Sequence, residues 1–215
     1  MRRYVDQSLL QYKLRGNDRV AKGGIIFCED GSGSMSGDRE IWAKAVGLAL
    51  LQIAKMQKRP FTAHHFGSVN EIMTYDFDTT SKTLTATRTE GIKDRYPYEL
   101  AGADSVIDFA ELFFGGGTDF MTPLSKSLDQ LRRQHSANGA VNGDIVFVTD
   151  GQCGVSPAWL DEFKAEQARL GFRVFGIMIG GALDSEPLNT ICDGRVVTVN
   201  DLLSGKQISN IFGAL

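Results

Sequence analysis

Gly24-Ile25-Ile26-Phe27-Cys28-Glu29-Asp30-Gly31-Ser32-Gly33-Ser34 joins a short apolar run to a loop rich in oxygen donors. The run is continuous and brief, which is typical of a strand buried on both faces of a sheet. The two glycines let the following backbone curl, so the side chains of Asp30, Ser32 and Ser34 can face one point. One carboxylate and two hydroxyls at this spacing predict a divalent-cation site.

Two later segments could complete such a site. Gly115-Gly116-Gly117-Thr118-Asp119 supplies another hydroxyl on a glycine-rich turn, and a second apolar strand ends at Thr149-Asp150-Gly151. Hard oxygen donors without histidine or cysteine favour Mg²⁺, Mn²⁺ or Ca²⁺ over zinc or copper. The sequence therefore predicts Mg²⁺ as the cofactor, with Mn²⁺ or Ca²⁺ as alternatives.

The three motifs occur in a specific order: Asp-x-Ser-x-Ser followed by Met35, then Gly-Gly-Thr-Asp, then a strand ending Thr-Asp-Gly. This order resembles the metal-ion-dependent adhesion site (MIDAS) of von Willebrand factor A (VWA) domains, and the resemblance extends over about residues 23–199. It implies an α/β fold with a Rossmann-like, mainly parallel central sheet, one antiparallel edge strand and helices on both faces.

The resemblance also implies roles for individual residues. By position, Ser32, Ser34 and Thr118 would contact the ion, while Asp30 and Asp150 would hold its waters or bind it directly. Neutral hydroxyl ligands leave the ion most of its charge, so the expected further ligand is an Asp or Glu of a partner protein. The short chain with Cys28 before the motif looks most like bacterial members that partner MoxR-type AAA+ ATPases. The predicted function is thus a divalent-cation-dependent interaction module and adaptor of such an ATPase, not an enzyme.

Length and composition set further limits. A chain of 215 residues with 42% hydrophobic content predicts one domain, 23–215, after an N-terminal arm, 1–22, and is also compatible with a piece of a longer protein. A net charge of −3 with scattered basic residues disfavours nucleic acid and membrane partners. Three cysteines, an odd number, and no apolar stretch long enough for a signal or a membrane span predict a cytoplasmic protein.

Hydrophobic patterns predict alternating strands and helices. The predicted strands are 24–28, 61–66, 72–77, 145–148, 172–179 and 196–199. The predicted helices are 38–57, 103–113, one beginning at Thr122-Pro123, one beginning at Ser156-Pro157, 188–192 and 206–212. In 38–57 the residues at helical spacing are Ile41, Trp42, Ala45, Val46, Ala49, Ile53 and Met56. The polar stretch 78–98 is predicted as a loop, and alternation along 61–66 places His64 and His65 on opposite faces as structural side chains.

Other interpretations of the first motif remain open. The loop could simply cap a strand-to-helix connection. Gly31-x-Gly33-x-x-x-Gly37 also resembles a dinucleotide-binding loop and would make the chain a Rossmann-like enzyme, although Asp30 would then face the pyrophosphate. A phosphoryl-transfer enzyme with Asp30 as nucleophile is less compatible, because Ser32 occupies the place of the general acid and no lysine or arginine accompanies the motif.

Overall fold

The computed structural model describes residues 22–90, 100–138, 142–151, 153–180, 186–202 and 209–215. Its strands are β1 (Lys22–Asp30), β2 (Phe61–Phe66), β3 (Ile72–Phe77), β4 (Ala86–Glu90), β5 (Ala101–Gly102), β6 (Asn142–Thr149), β7 (Arg173–Ile179) and β8 (Val196–Val199). Its helices are α1 (Asp38–Gln57), α2 (Ala103–Glu111), α3 (Met121–Asn138), α4 (Pro157–Leu170), α5 (Glu186–Ile191) and α6 (Ser209–Ala214), and Gly33–Met35 forms a 3-10 turn.

The eight described strands form one sheet in the order β5-β4-β3-β2-β1-β6-β7-β8. Strands β2, β1, β6, β7 and β8 pair in parallel, whereas β3, β4 and β5 pair antiparallel at one edge. The predicted α/β class with a mainly parallel sheet and an antiparallel edge is confirmed. That edge is broader than the one strand expected, because β4 and β5 extend it beyond β3.

Helices cover both faces of this sheet because its central strands are apolar on both sides. In β1, Ile25 and Phe27 belong to a core with α1, α2 and α6, while Ile26 and Cys28 belong to a second core with α3, α4 and α5. All four side chains are at most 1% exposed. Burying both faces explains why the β1 sequence is continuously apolar instead of alternating.

Strand β4 corrects the prediction that 78–98 is a loop. Ala86 and Arg88 are buried and Thr87 is exposed, which is the alternation of a half-buried strand. The inward Arg88 pairs with Asp108 of α2 at 2.7 Å. A charged residue at an inward position hid the alternation from a hydrophobicity pattern.

Helix α1 has the predicted bounds, but its buried face is rotated relative to the apolar spacing in the sequence. The side chains turned toward the sheet are Ala43, Lys44, Val46, Leu50, Leu51 and Ala54. Ile41 and Met56 are instead 67% and 76% exposed. Because α1 carries apolar residues around most of its circumference, their spacing does not single out one face.

The start of α3 also differs from the prediction. Asp119, not Thr122, caps this helix, because its Oδ2 accepts hydrogen bonds from the Thr122 amide at 2.9 Å and the Thr122 hydroxyl at 2.5 Å. Ser156 and Pro157 open α4 as predicted, with Pro157 in the first turn. Asp119 thereby fixes the direction in which α3 leaves the Gly115–Gly117 segment.

The two adjacent histidines of β2 lie on opposite faces of the sheet. His64 Nδ1 lies 2.9 Å from the Thr74 hydroxyl, and His65 Nε2 lies 3.1 Å from the Phe109 carbonyl oxygen. Both are 1% exposed. They are structural side chains, as the alternation predicts.

Some predictions fall outside the described residues: the arm 1–22 except for Lys22, the first residue of β1; 91–98 of the expected loop; and 206–208 of the last helix. Within the part of the chain that the structure describes, no helix combines the length and apolar character needed to cross a membrane.

Candidate metal and ligand site

Three segments converge at the carboxyl edge of the parallel sheet. Strands β1 and β6 are neighbours, so Asp30 at the end of β1 lies beside Thr149 at the end of β6. The glycine-rich segment between α2 and α3 reaches the same edge through a parallel bridge between Ser32 and Gly116. Carboxyl ends of parallel strands are where ligands bind in open α/β sheets.

Main-chain hydrogen bonds hold the first and second loops together. The Gly33 amide donates to the Gly116 carbonyl oxygen and the Gly115 amide donates to the Gly31 carbonyl oxygen, both at 2.9 Å. A Cβ atom on Gly33 would lie 3.2 Å from the Gly115 oxygen, and Gly115 has a φ of +72°. Glycine is required here because the loops approach closely and one residue is left-handed.

Asp30 is buried and bonded only to uncharged donors in the contacts described. Its Oδ1 accepts the Ser32 amide at 2.9 Å, and its Oδ2 accepts the Thr149 hydroxyl at 2.5 Å. The pKa of the Asp30 carboxyl is raised above its usual value, chiefly by burial and also by the nearby charge of Asp150. The hydrogen bonds from Thr149 and Ser32 act in the opposite direction. A cation at this edge would be favoured by the uncompensated carboxylate.

Ser32, Ser34 and Asp150 form a continuous polar chain. The two serine hydroxyl oxygens lie 3.1 Å apart, and the Ser34 hydroxyl donates to Asp150 Oδ1 at 2.7 Å. Ser32 is buried and Ser34 is exposed, so the chain leads from the protein interior to the surface. Curling of the loop thus directs side chains 30, 32 and 34 to one side, as the glycine spacing predicts.

Thr118 reaches the same place from the third segment. The position that a Cβ atom on Gly151 would occupy lies 3.7 Å from Thr118 Oγ1, 3.7 Å from Thr149 Oγ1 and 3.9 Å from Asp30 Oδ2. Oxygens from three separate segments therefore surround one small space that any side chain at position 151 would enter. All five predicted site residues, Asp30, Ser32, Ser34, Thr118 and Asp150, lie at this edge.

Sequence reasoning missed two polar residues here. Thr149 was assigned only to its strand, yet its hydroxyl bonds Asp30, and its signal was its position directly before Asp150. Arg39 pairs with Asp150 Oδ2, and its Nη1 donates to the Ser34 carbonyl oxygen at 3.2 Å. The expectation that no arginine accompanies the motif is therefore wrong: Arg39 is five residues beyond Ser34 and returns to it on the first turn of α1.

Two neighbouring residues do not enter the oxygen cluster. Asp119 uses its carboxylate to cap α3, as described above. Cys153 is half-buried, and burial raises the pKa of its thiol, which disfavours the thiolate.

The donor set fits a hard cation better than a soft one. Among the described residues, no three His, Cys, Asp or Glu side chains come together as a group that could hold a metal ion. This edge instead offers two carboxylates and the four hydroxyls of Ser32, Ser34, Thr118 and Thr149, so any ion would depend largely on neutral oxygens. Hydroxyl and carboxylate oxygens suit Mg²⁺, Mn²⁺ or Ca²⁺, and the space beside Gly151 is bordered by two hydroxyl oxygens and one carboxylate oxygen.

Similarity to known proteins agrees with this architecture. No protein-family model matches the chain. Two uncharacterized proteins of Methanocaldococcus jannaschii are similar: MJ0811, 31% identical over 94% of this chain and 40% of its own length, and MJ0077, 33% identical over 100% of this chain and 47% of its own. The chain thus spans less than half the length of these relatives.

Solved structures show which fold this is. Proximal thread matrix protein 1 of the mussel byssus, in a structure with a zinc-occupied MIDAS motif, superposes with a TM-score of 0.58 at 16% identity over 89% of this chain and 47% of its own. The VWA domain of SpRpn10 superposes with a TM-score of 0.55 at 14% identity, covering 90% of this chain and 95% of that domain. The chain has the VWA fold. The edge that carries Asp30, Thr118 and Asp150 is the carboxyl edge of that fold.

Proposed function

We propose that this chain is a divalent-cation-dependent protein-interaction module, with a MIDAS formed by Asp30, Ser32, Ser34, Thr118 and Asp150. The observation that supports the proposal is the space beside Gly151, where oxygens of Thr118, Thr149 and Asp30 lie within 4 Å of one point. Ser34 and Asp150 extend the same polar surface outward through a 2.7 Å hydrogen bond.

The chemistry of the donors indicates the kind of partner. Hydroxyl ligands do not neutralise an ion, so a bound Mg²⁺ would keep an excess of positive charge toward the exposed side of the site. A carboxylate about 4 Å away at an effective dielectric constant of about 20 gains roughly 4 kcal/mol per unit-charge pair before desolvation. The proposed partner group is therefore an Asp or Glu side chain of another protein.

The partner itself is proposed from the resemblance of the motif region. This short chain, with Cys28 before the motif, looks most like bacterial members that partner MoxR-type AAA+ ATPases, so it would act as a cytoplasmic adaptor of such an ATPase. The proposal assigns it a binding role and no enzymatic one.

A nucleotide site at the Gly31/Gly33/Gly37 loop is less well supported. Phosphate-binding loops present free amide groups to the phosphate. Here the Gly31 amide donates to Phe66, the Gly33 amide to Gly116 and the Ser36 amide to Gly33. The Ser32 amide is used by Asp30. The loop amides therefore serve the fold and the neighbouring carboxylate.

Calorimetric titration with Mg²⁺ tests the metal site directly. We expect the wild-type chain to bind Mg²⁺ and Asp30→Asn and Thr118→Val to lose measurable binding, while circular dichroism shows that both still fold. Ser136→Ala is the matched control, because its exposed hydroxyl donates to the Arg132 carbonyl oxygen within α3. Absence of binding by the wild type, or equal binding by Asp30→Asn, would contradict the proposal.

The adaptor role needs a separate measurement. A purified MoxR-type ATPase should bind the wild-type chain in Mg²⁺ and release it in EDTA. Because the ATPase itself uses Mg²⁺, the informative comparison is Ser34→Ala against Ser136→Ala, both in Mg²⁺. Equal binding of the two variants would place the contact elsewhere on the chain.

A further inference from the structure

Arg39 occupies an unusual position at the carboxyl edge. Its Nη1 contacts Asp150 Oδ2 and the Ser34 carbonyl oxygen, and a Cβ atom on Gly180 would lie 3.5 Å from its Nη2. The Arg39 side chain is 44% exposed, whereas the Asp150 carboxylate beneath it is 2% exposed. Arg39 thus lies across the ends of β6 and β7 and covers Asp150 from the solvent side.

The position of Arg39 in α1 is not explained by the helix. It is the second residue of α1, where the partial positive charge of the helix N-terminus disfavours a cation. The residues on either side, Asp38 and Glu40, are acidic as this end prefers. The favourable partner of Arg39 is Asp150, so its charge serves the edge of the sheet.

The charges at the edge are only partly balanced by this contact. Asp30 and Asp150 bring two negative charges when both are ionised, and Arg39 brings one positive charge. Both Asp150 oxygens are engaged, Oδ1 by Ser34 and Oδ2 by Arg39. A divalent cation approaching Ser34 and Asp150 would meet the repulsion of the guanidinium and would compete with it for Oδ2.

We propose that Arg39 is a resident counter-cation of this site, which pairs with Asp150 in the absence of a divalent ion and is displaced when the ion binds. The proposal rests on the metal site proposed above. Arg39 would thereby weaken the affinity for the ion and hold Asp150 in place until the ion arrives. It is a positioning residue that acts through Asp150.

Calorimetric titration of Arg39→Gln with Mg²⁺ and with Mn²⁺ tests this competition. Glutamine keeps a polar side chain but removes the charge, so both ions should bind about three to ten times more tightly than to the wild type, as expected from loss of one partly exposed ion pair. Arg169→Gln is the matched control, because it removes the same charge from an exposed pair with Glu166 on α4 and should leave ion affinity unchanged.

The outcomes separate this inference from the proposed function. Tighter binding by Arg39→Gln than by the wild type supports the competition. Equal or weaker binding by Arg39→Gln, with the wild type binding normally, overturns the competition and leaves the metal site standing. Absence of binding by the wild type, Arg39→Gln and Arg169→Gln overturns the metal site, and the inference with it.

Displacement has its own signature in the full chain. Nitrogen-15 NMR of the arginine side chains, with the Arg39 signal assigned by its loss in Arg39→Gln, reports how freely the guanidinium rotates. Addition of Mg²⁺ should convert the restrained Arg39 guanidinium to a freely rotating one. An Arg39 signal that stays restrained at saturating Mg²⁺ would overturn the displacement even if the affinities differ.

Discussion

The two ends of strand β6 both carry aspartates, but in opposite electrostatic settings. At the amino end, Asp144 is 1% exposed and pairs with Arg59 and Arg173 at once. At the carboxyl end, Asp150 pairs with one arginine, Arg39, whose side chain is partly exposed to solvent. The adjacent Asp30 is bonded only to uncharged donors in the contacts described. One buried carboxylate at the amino end thus has two arginine partners, whereas in the contacts described the two carboxylates at the carboxyl end share one arginine.

This difference separates a structural ion pair from the proposed ligand site. Arg59 also donates to main-chain oxygens, that of Gly23 at 2.6 Å and that of Leu215, the last residue of the sequence, at 3.0 Å. Among the described residues, the Asp144 oxygens and the Arg59 guanidinium are therefore engaged inside the protein. The carboxyl end has two carboxylates beside one arginine and an exposed serine, Ser34, which is the setting that the proposed cation would require.

The largest loss of stability should follow a substitution at the amino end of β6. Arg59→Gln leaves Asp144 buried with one partner fewer, so we expect the free energy of unfolding to fall by about 3 kcal/mol. Urea unfolding measures it, with Arg173→Gln as control, because that side chain is 43% exposed and should cost less. Mg²⁺ binding by Arg59→Gln should remain, and its loss would show that the two ends are coupled.

A second effect should appear on acidification. Burial lowers the pKa of His64 and of His65 to about 3, so both stay neutral in the folded protein and become charged on unfolding. Above about pH 6.5 the histidines are neutral in both states and do not reduce the free energy of unfolding. As the pH falls from about 6.5 toward 3, each histidine lowers the free energy of unfolding by about 1.4 kcal/mol per pH unit. Between pH 6.5 and 5 each should cost about 2 kcal/mol.

The histidine contribution can be isolated by substitution. Urea unfolding of wild type and His64→Gln at pH 7 and pH 5 gives the loss on acidification for each protein, and the loss should be smaller in His64→Gln by about 2 kcal/mol. Equal losses in the two proteins would show that His64 already carries its charge when folded. His64 lies in β2, beside β1, so the difference between the two proteins should not change when ions that bind at the carboxyl end of the sheet are added.

A smaller effect should come from Thr149, which links β6 to Asp30. Thr149→Val keeps the shape but removes the hydroxyl that donates to Asp30 Oδ2 and accepts from the Gly151 amide. We expect a loss of stability of about 1–2 kcal/mol and Mg²⁺ binding about tenfold weaker, because Asp30 is no longer oriented. Unfolding and calorimetric titration measure both, and unchanged ion affinity would exclude Thr149 from the site.

The smallest effect on stability should be that of Arg39→Gln. Its ion pair with Asp150 resembles that of Arg59 with Asp144, but the arginine is 44% instead of 2% exposed. Without added ions we expect a change in the free energy of unfolding below about 1 kcal/mol. A loss as large as that of Arg59→Gln would mean that the ion pairs at the two ends of β6 stabilise the fold equally.

Much of the fold could be predicted because its central strands are buried on both faces. Runs such as 24–28 and 145–148 are too short and too apolar for other structures, and the order of strands and helices then dictates a parallel sheet. The remaining errors arose where a charge replaces an apolar residue, as at Arg88, or where apolar residues surround a helix, as in α1. Hydropathy patterns contain no information about such partners.

The candidate site likewise contains residues that the sequence predicts and residues, such as Arg39, that it does not. Local spacing places Asp30, Ser32 and Ser34 together, and the order of motifs brings Thr118 and Asp150 to them. Their function as metal ligands stays a prediction. Arg39 was missed because its contact with Asp150 spans 111 positions of sequence and depends on the direction in which α1 leaves the loop. A pattern within one motif does not carry that direction.

Because the Gly33 and Gly115 amides each donate to the opposite loop, the mouth of the site is assembled when the chain folds. The entropy of ordering these loops is then lost before any ion arrives, so an incoming ion does not wait for a loop to close. We therefore expect the rate of ion capture to be limited by the exchange of the ion's own water molecules. Two loops held together in advance by these hydrogen bonds would therefore allow the proposed site to bind an ion rapidly from dilute solution.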